Sequence, residues 1–155
     1  MIGFGKKLGV GAGLAILCAA YAVAQTEVAT GPFTEAQVED GRKVYATRCA
    51  ACHLPSLVGQ GEALPLAGSQ FMAGWSNRTT RDLYKLIQSS MPKGAPGSLD
   101  DQDYADVTAF ILHANGAKAG PTDFLTAPPL RIGLIANGIA PGDIGMAPAA
   151  PARDR

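Results

Sequence analysis

Five consecutive residues, Cys49-Ala50-Ala51-Cys52-His53, restrict this chain more than anything else in it. Two thiols three positions apart can add across the two vinyl groups of a haem, and the imidazole that follows at once is placed to ligate the iron from one face. The same residues have two plainer readings: a chance Cys-x-x-Cys pair, and a redox disulfide with a bystander histidine. A haem fixed here fills a core that a chain of 155 residues would otherwise struggle to supply.

The length allows one domain of ordinary size. The chain begins with Lys6 and Lys7 ahead of an apolar run from Leu8 to Ala20, and Ala22-Val23-Ala24 offers small residues suited to signal peptidase. The run is short and contains glycines, so residues 1–24 read as a secretory signal cut before Gln25, with an uncleaved membrane anchor as the competing reading. Cys18 follows Ala15-Ile16-Leu17, where the bulky leucine argues against lipidation. Beyond the signal only Cys49 and Cys52 remain. They could pair during maturation in an oxidising compartment, but so tight a loop would staple little of a fold. Removing Lys6 and Lys7 from the 13 basic residues leaves 11 against 13 acidic ones, and no basic patch suits nucleic acid.

Residues 25–33 read as an extended leader. Thr34 and Gln37 form a Thr-x-x-Gln capping box for a first helix that runs to the cysteines, with Val38, Gly41 and Tyr45 near one face. Gly41 lowers helix propensity but permits close approach of another helix. Residues 54–68 are mostly loop, broken by Pro55, Gly59, Gly61, Pro65 and Gly68. A short helix includes Phe71, Met72 and Trp75. Thr79 or Thr80 caps a third, with Leu83, Leu86 and Ile87 as its apolar face, ending where Pro92 biases Met91 away from helical geometry. A stronger final helix starts at Ser98, with Asp101 as a capping-box variant. It lines one face with Tyr104, Val107, Ile111 and Ala114, has Phe110 at the edge, and stops at Asn115-Gly116.

The expected fold is therefore all-α, a small haem domain over residues 34–117 whose last helix crosses the first, bringing Gly41 and Tyr45 towards Phe110. Residues 118–155 form a Pro/Gly/Ala-rich C-terminal extension. Within it, 130–139 is apolar enough for a brief helix or packing arm, and 141–155 reads as a flexible tail.

His53 is the expected proximal ligand, its other ring nitrogen donating a hydrogen bond that fixes tautomer and orientation. For the opposite axial position, methionine sulfur is a soft ligand for iron. Met91 stands at a loop entrance followed by Pro92, Gly94, Pro96 and Gly97, which can hold a sulfur against iron without a regular helix. Met72, His113 and an open site are the alternatives. Met72 reads better as packing beside Phe71 and Trp75, and His113 as a half-exposed residue near a helix end. Met146 lies in the tail. Trp75 could give a haem propionate its indole hydrogen bond or simply pack. Arg78, Arg81, Lys85 and Lys93 are either a solvated face or a positive rim for an acidic partner.

These motifs together resemble the class I c-type cytochromes, over residues 34–117. The segments Met91-Pro92-Lys93-Gly94-Ala95-Pro96-Gly97-Ser98-Leu99 and Tyr104-Ala105-Asp106-Val107-Thr108-Ala109-Phe110-Ile111-Leu112, continued by Asn115-Gly116, are similar to the monohaem group associated with bacterial quinoprotein alcohol dehydrogenases. Leu54-Pro55 departs from the small residue often found after the histidine. The resemblance implies one haem c per chain, attached through Cys49 and Cys52, with His53 and Met91 on the iron. It also implies that the Leu64-Pro65-Leu66-Ala67-Gly68 loop offers the proximal histidine a backbone carbonyl near Pro65.

The function expected from this is one-electron transport outside the cytoplasm, iron cycling between Fe(II) and Fe(III), without a dedicated small-molecule substrate and without enzymatic activity of its own. Electrons would come from an exported dehydrogenase, a quinoprotein by the resemblance, and pass to a cytochrome or terminal oxidase. A diffusing periplasmic carrier is the first reading. A non-diffusing haem-bearing docking or structural subunit of a larger redox complex is the second, the extension serving as tether. A small haem enzyme such as a peroxidase is the third, and no distal histidine constellation supports it.

Overall fold

In the computed structural model, residues 29–139 are described; the expected signal segment, Cys18, Met146 and the tail from 141 lie outside them. The order is α1 (Glu35–Arg48), α2 (Ala50–His53), α3 (Ser69–Trp75), α4 (Thr80–Ser90) and α5 (Asp101–Ala114), then a 3-10 turn at Ile132–Leu134. No helix among the described residues is long and apolar enough to cross a membrane.

Side chains set the helix starts. Thr34 accepts the Gln37 amide at 3.3 Å and the Gln37 side chain takes the Thr34 amide at 3.2 Å, closing the expected capping box of α1. Thr79 and Asp82 do the same for α4. These hydrogen bonds to Thr79, backbone first, hold the Asp82 carboxyl below its usual range. The α5 start differs from expectation. Asp100 is the cap, its carboxylate accepting the Asp103 amide at 2.7 Å, so Ser98 stays in the preceding loop. A carboxylate at a helix start also meets the positive end of the helix dipole.

The fold is an all-α bundle whose first and last helices cross, consistent with a small class I cytochrome c fold. Gly41 makes the crossing possible, because a β-carbon there would stand 1.9 Å from the Asp106 carbonyl oxygen and 3.0 Å from Phe110 Cβ. One turn on, Tyr45 meets Phe110 with ring centroids 5.2 Å apart. Beside them Asp106 is buried and accepts from Gln37 at 3.1 Å and Gln102 at 2.7 Å. Burial raises its carboxyl above the ordinary value, against the pull of those two hydrogen bonds.

Helix α5 is central, with every residue from Tyr104 to Leu112 buried. Helix α4 turns Leu83, Tyr84 and Ile87 inward and leaves Leu86 exposed, a correction to the apolar face expected from spacing alone. Tyr84 takes that place because its ring packs on Phe124, 5.7 Å between centroids.

Residues 118–136 share this core. Phe124, Ala127, Ile132, Ile135 and Ala136 are buried. The segment binds α4 through Thr80 and Leu130, and the turn after α3 through Ile132 to the Arg78 carbonyl and Gly133 to the Ser76 carbonyl, both 2.9 Å. The leader docks beside it: Gly31 donates to the Lys118 carbonyl, Gly120 donates to the Phe33 carbonyl, and Phe33 is fully buried.

Candidate haem-binding site

Helix α1 ends at Arg48 with Cys49 as its C-cap, and α2 begins there as a single turn. The amides of Cys52 and His53 both donate to the Cys49 carbonyl, at 3.1 and 3.0 Å. This turn puts the two cysteines on one side, three residues apart. Both are free thiols, Cys49 half-buried against the core and Cys52 exposed. Burial pushes the Cys49 thiol up to about 11, so its reactive thiolate is scarce once the helices have packed.

The loop after α2 folds back onto it. Gly59 donates to the His53 carbonyl at 3.0 Å, and Gln60 reaches the Ala51 carbonyl at 3.2 Å. Gly59 has φ +70°, and a β-carbon there would fall 2.1 Å from the Ala63 carbonyl oxygen, so the turn needs glycine. Leu54, by contrast, carries a side chain at φ 61°, in a region that favours glycine. Its carbonyl accepts the Tyr45 hydroxyl at 2.7 Å, which holds it there.

The returning strand of this loop brings the Leu64 carbonyl to 2.9 Å from His53 Nδ1. A carbonyl oxygen can only accept, so Nδ1 carries the proton, and in the neutral ring the Nε2 lone pair is free to bind a metal. The acceptor is thus the carbonyl of Leu64, immediately before Pro65. A proline at position 65 biases Leu64, the residue before it, towards extended geometry.

Met91 caps the C-terminus of α4 in extended conformation and its side chain is half-buried against the core, as are those of Cys49, Leu66, Met72, Trp75 and Leu99. The buried Tyr104 on α5 fixes this distal loop at both ends. Its hydroxyl donates to the Met91 carbonyl at 2.8 Å and accepts the Leu99 amide at 3.5 Å. An ion pair between Lys93 and Glu62 joins the distal loop to the loop that carries Leu64. The two loops holding the expected axial donors therefore meet at their rims.

The other candidate residues make contacts of their own. Trp75 stacks on Phe71 at 6.1 Å with the Arg78 guanidinium 5.0 Å over its ring, and its indole nitrogen has no protein partner among the described residues. His113 Nδ1 engages the Ala117 carbonyl at 3.1 Å, closing the end of α5. Met72 touches the position of Gly138 in the C-terminal arm. Arg81 lies over Tyr84 and Phe124 and reaches the Leu125 and Ala127 carbonyls. With Arg78 over Trp75 and Lys93 paired to Glu62, three of the four cations considered for a docking rim are engaged within the molecule.

Sequence reasoning passed over two residues that shape the site, Tyr104 and Asn115. Spacing puts Tyr104 on a helix face, and the signal for more is that a tyrosine buried in a helix must find a partner for its hydroxyl. By sequence Asn115 is a helix stop and part of the family resemblance, with no role at the site.

Among the described residues no group of three or more His, Cys, Asp or Glu side chains could hold a metal ion by itself. One imidazole with a free Nε2, one thioether on a facing loop and two thiols on one turn do fit an iron whose remaining positions belong to a covalently held macrocycle.

The family model of cytochrome c oxidase, cbb3-type, subunit III, matches residues 36–111. Thiosulfate dehydrogenase of Psychrobacter arcticus is 30% identical over 88 residues, which is 51% of this chain and 26% of that protein. The chain thus spans about a quarter of the length of that relative. The solved sulfane dehydrogenase SoxCD of Paracoccus pantotrophus is 23% identical, with TM-score 0.43, covering 92% of this chain and 72% of that one. The all-α fold is consistent with a small class I cytochrome c fold, and the donor set suits that class. The chain is thus similar to cytochrome c-like, haem-binding proteins related to cbb3-type oxidase subunits.

Proposed function

We propose that this chain is a non-catalytic haem-bearing subunit of a larger exported redox complex, moving single electrons between that complex's catalytic part and an acceptor. The observation that carries the reading is the tethered His53, Nδ1 held by Leu64 and Nε2 left for iron, on the turn that bears both free thiols. Cys49 and Cys52 would hold one haem c by thioether bonds. His53 and Met91 would ligate its iron, and Trp75 would offer its indole N–H to a propionate. Bound haem supplies the one-electron Fe(II)/Fe(III) couple. The chain's own residues keep that couple closed to substrates: Tyr104 and the Lys93–Glu62 pair secure the loop that presents Met91, and the apolar side chains around it exclude water.

A resident subunit is favoured over the freely diffusing periplasmic carrier that the sequence alone puts first. The matching family model describes an oxidase subunit, and the thiosulfate dehydrogenase relative contains the similar stretch as about a quarter of a longer protein. Donor and acceptor are then an exported dehydrogenase, a quinoprotein on the earlier resemblance, and a cytochrome or terminal oxidase. Native size-exclusion chromatography of the tagged chain, with haem absorbance followed across the column, tests this. Co-elution of most of the haem with a larger dehydrogenase or oxidase activity is expected. Elution of all of it at the monomer position, with full electron exchange, would return the reading to a diffusing carrier.

A further inference from the structure

Asn115, which ends α5, is fully buried and uses every polar group it has. Its side-chain oxygen accepts the Gly68 amide at 3.0 Å. Its side-chain nitrogen donates to the Leu66 carbonyl at 2.9 Å and the Ile111 carbonyl at 2.8 Å. Its backbone carbonyl accepts from Asn137 at 3.0 Å and Gly138 at 2.9 Å, and its own amide donates to Leu112. One residue thereby joins the last helix, the proximal loop and the C-terminal arm.

The proximal loop needs such an anchor. The Leu64 side chain is 75% exposed, so little packing holds the carbonyl that faces His53. Two residues on, Leu66 is fixed from one side by its amide donating to the Leu57 carbonyl at 2.8 Å and from the other by Asn115. Gly68, fixed by the same asparagine, closes the loop. These are part-buried hydrogen bonds between segments 47 and 49 residues apart in sequence, where loss of one partner leaves another polar group unpaired.

We propose that Asn115 is a positioning residue for the proximal haem ligand: by clamping Leu66 and Gly68 it holds the Leu64 carbonyl against His53 Nδ1 and so tunes the reduction potential. This rests on the reading of His53 as the iron ligand. A firm hydrogen bond from Nδ1–H makes Nε2 a stronger donor and favours the ferric state. Loosening the clamp therefore raises the potential and exposes the ring proton to solvent.

The test uses holoprotein carrying Asn115→Ala, with Asn115→Ser as the milder substitution should the first fail to accumulate, and Phe124→Leu as a control in the core away from the proximal loop. Each is compared with the unsubstituted chain by redox titration, by NMR exchange of the His53 ring N–H in the ferrous state, and by denaturant unfolding. Expected are an upward shift of the potential and at least tenfold faster ring-proton exchange for the Asn115 variants. Phe124→Leu should lose stability and show neither change. Unchanged potential and exchange in an Asn115 variant, with His53 still showing iron-bound resonances, would leave the residue a purely structural one. Absence of iron-bound His53 resonances in the unsubstituted holoprotein would overturn the ligand reading itself, a separate outcome.

Discussion

Gly41 and Asp106 meet backbone to backbone where α1 crosses α5, so closely that a β-carbon on Gly41 would stand 1.9 Å from the Asp106 carbonyl oxygen. The obstacle is main chain and cannot swing aside as a side-chain tip would. Gly41→Ala gains about 1 kcal/mol of helix propensity but forces the helices apart. The net loss should be about 1–3 kcal/mol. Guanidinium unfolding of the holoprotein measures it, and a variant as stable as the parent would contradict the crossing described here.

Asp106 gives this crossing a pH dependence. Its folded pKa is raised by burial above the 3.8 of a free side chain, so the folded state holds the proton more tightly than the unfolded state. Its contribution to stability is therefore greatest at low pH and is lost as pH rises from about 3.8 through the raised value. Asp106→Asn keeps the shape and an oxygen acceptor for Gln37 and Gln102 but cannot ionise. Relative to the parent, the variant should gain stability steadily as pH rises through that window. A difference that stays flat between acid and neutral pH would show that the carboxyl is not perturbed.

Leu54 holds a positive φ that suits glycine. Such a conformation costs a non-glycine residue about 1–3 kcal/mol, of which glycine's larger unfolded-state entropy takes back about 1. Leu54→Gly should raise the thermal midpoint modestly without altering the haem spectrum. A clear fall would mean that the Leu54 side chain contributes more by packing than its backbone loses by strain.

The two thiols make a prediction about mass. Intact denatured chains should carry one haem each, and Cys49→Ser/Cys52→Ser together should abolish covalent attachment while either single substitution leaves one thioether. Covalent haem surviving the double substitution would remove the Cys-x-x-Cys turn from the attachment site.

Much of this architecture can be read from local pattern. The Thr34–Gln37 box, the Val38, Gly41 and Tyr45 face, and the break at Met91-Pro92 are short-range signals, and each has its counterpart in the structure. Position within a helix start is harder: Ser98, Asp100 and Asp101 are all capping residues by type, and only the amide that Asp100 captures decides among them. Leu86 and Tyr84 could each belong to the inner face of α4 by spacing, and it is Phe124, forty residues on from Tyr84, that chooses. The Asn115 clamp is beyond such reasoning, because hydrogen bonds to backbone carbonyls leave no periodicity and no residue type on the accepting side, and the acceptor carbonyl beside Pro65 is legible only through the family resemblance. Composition likewise hides the packing of residues 118–129, since a Pro- and Gly-rich stretch needs only a few apolar anchors to join a core, whereas 130–139 is apolar enough to read as a packing arm.

The ferric absorption spectrum of the purified holoprotein, recorded beside that of Met91→Ala, tests the central claim most directly. The account predicts a low-spin haem with the weak thioether-to-iron charge-transfer band at the red edge of the visible range, lost on substitution. The ferrous variant should then bind carbon monoxide where the parent does not. A parent that lacks the band and is already high-spin and open to carbon monoxide would contradict a closed His53/Met91 electron-transfer site.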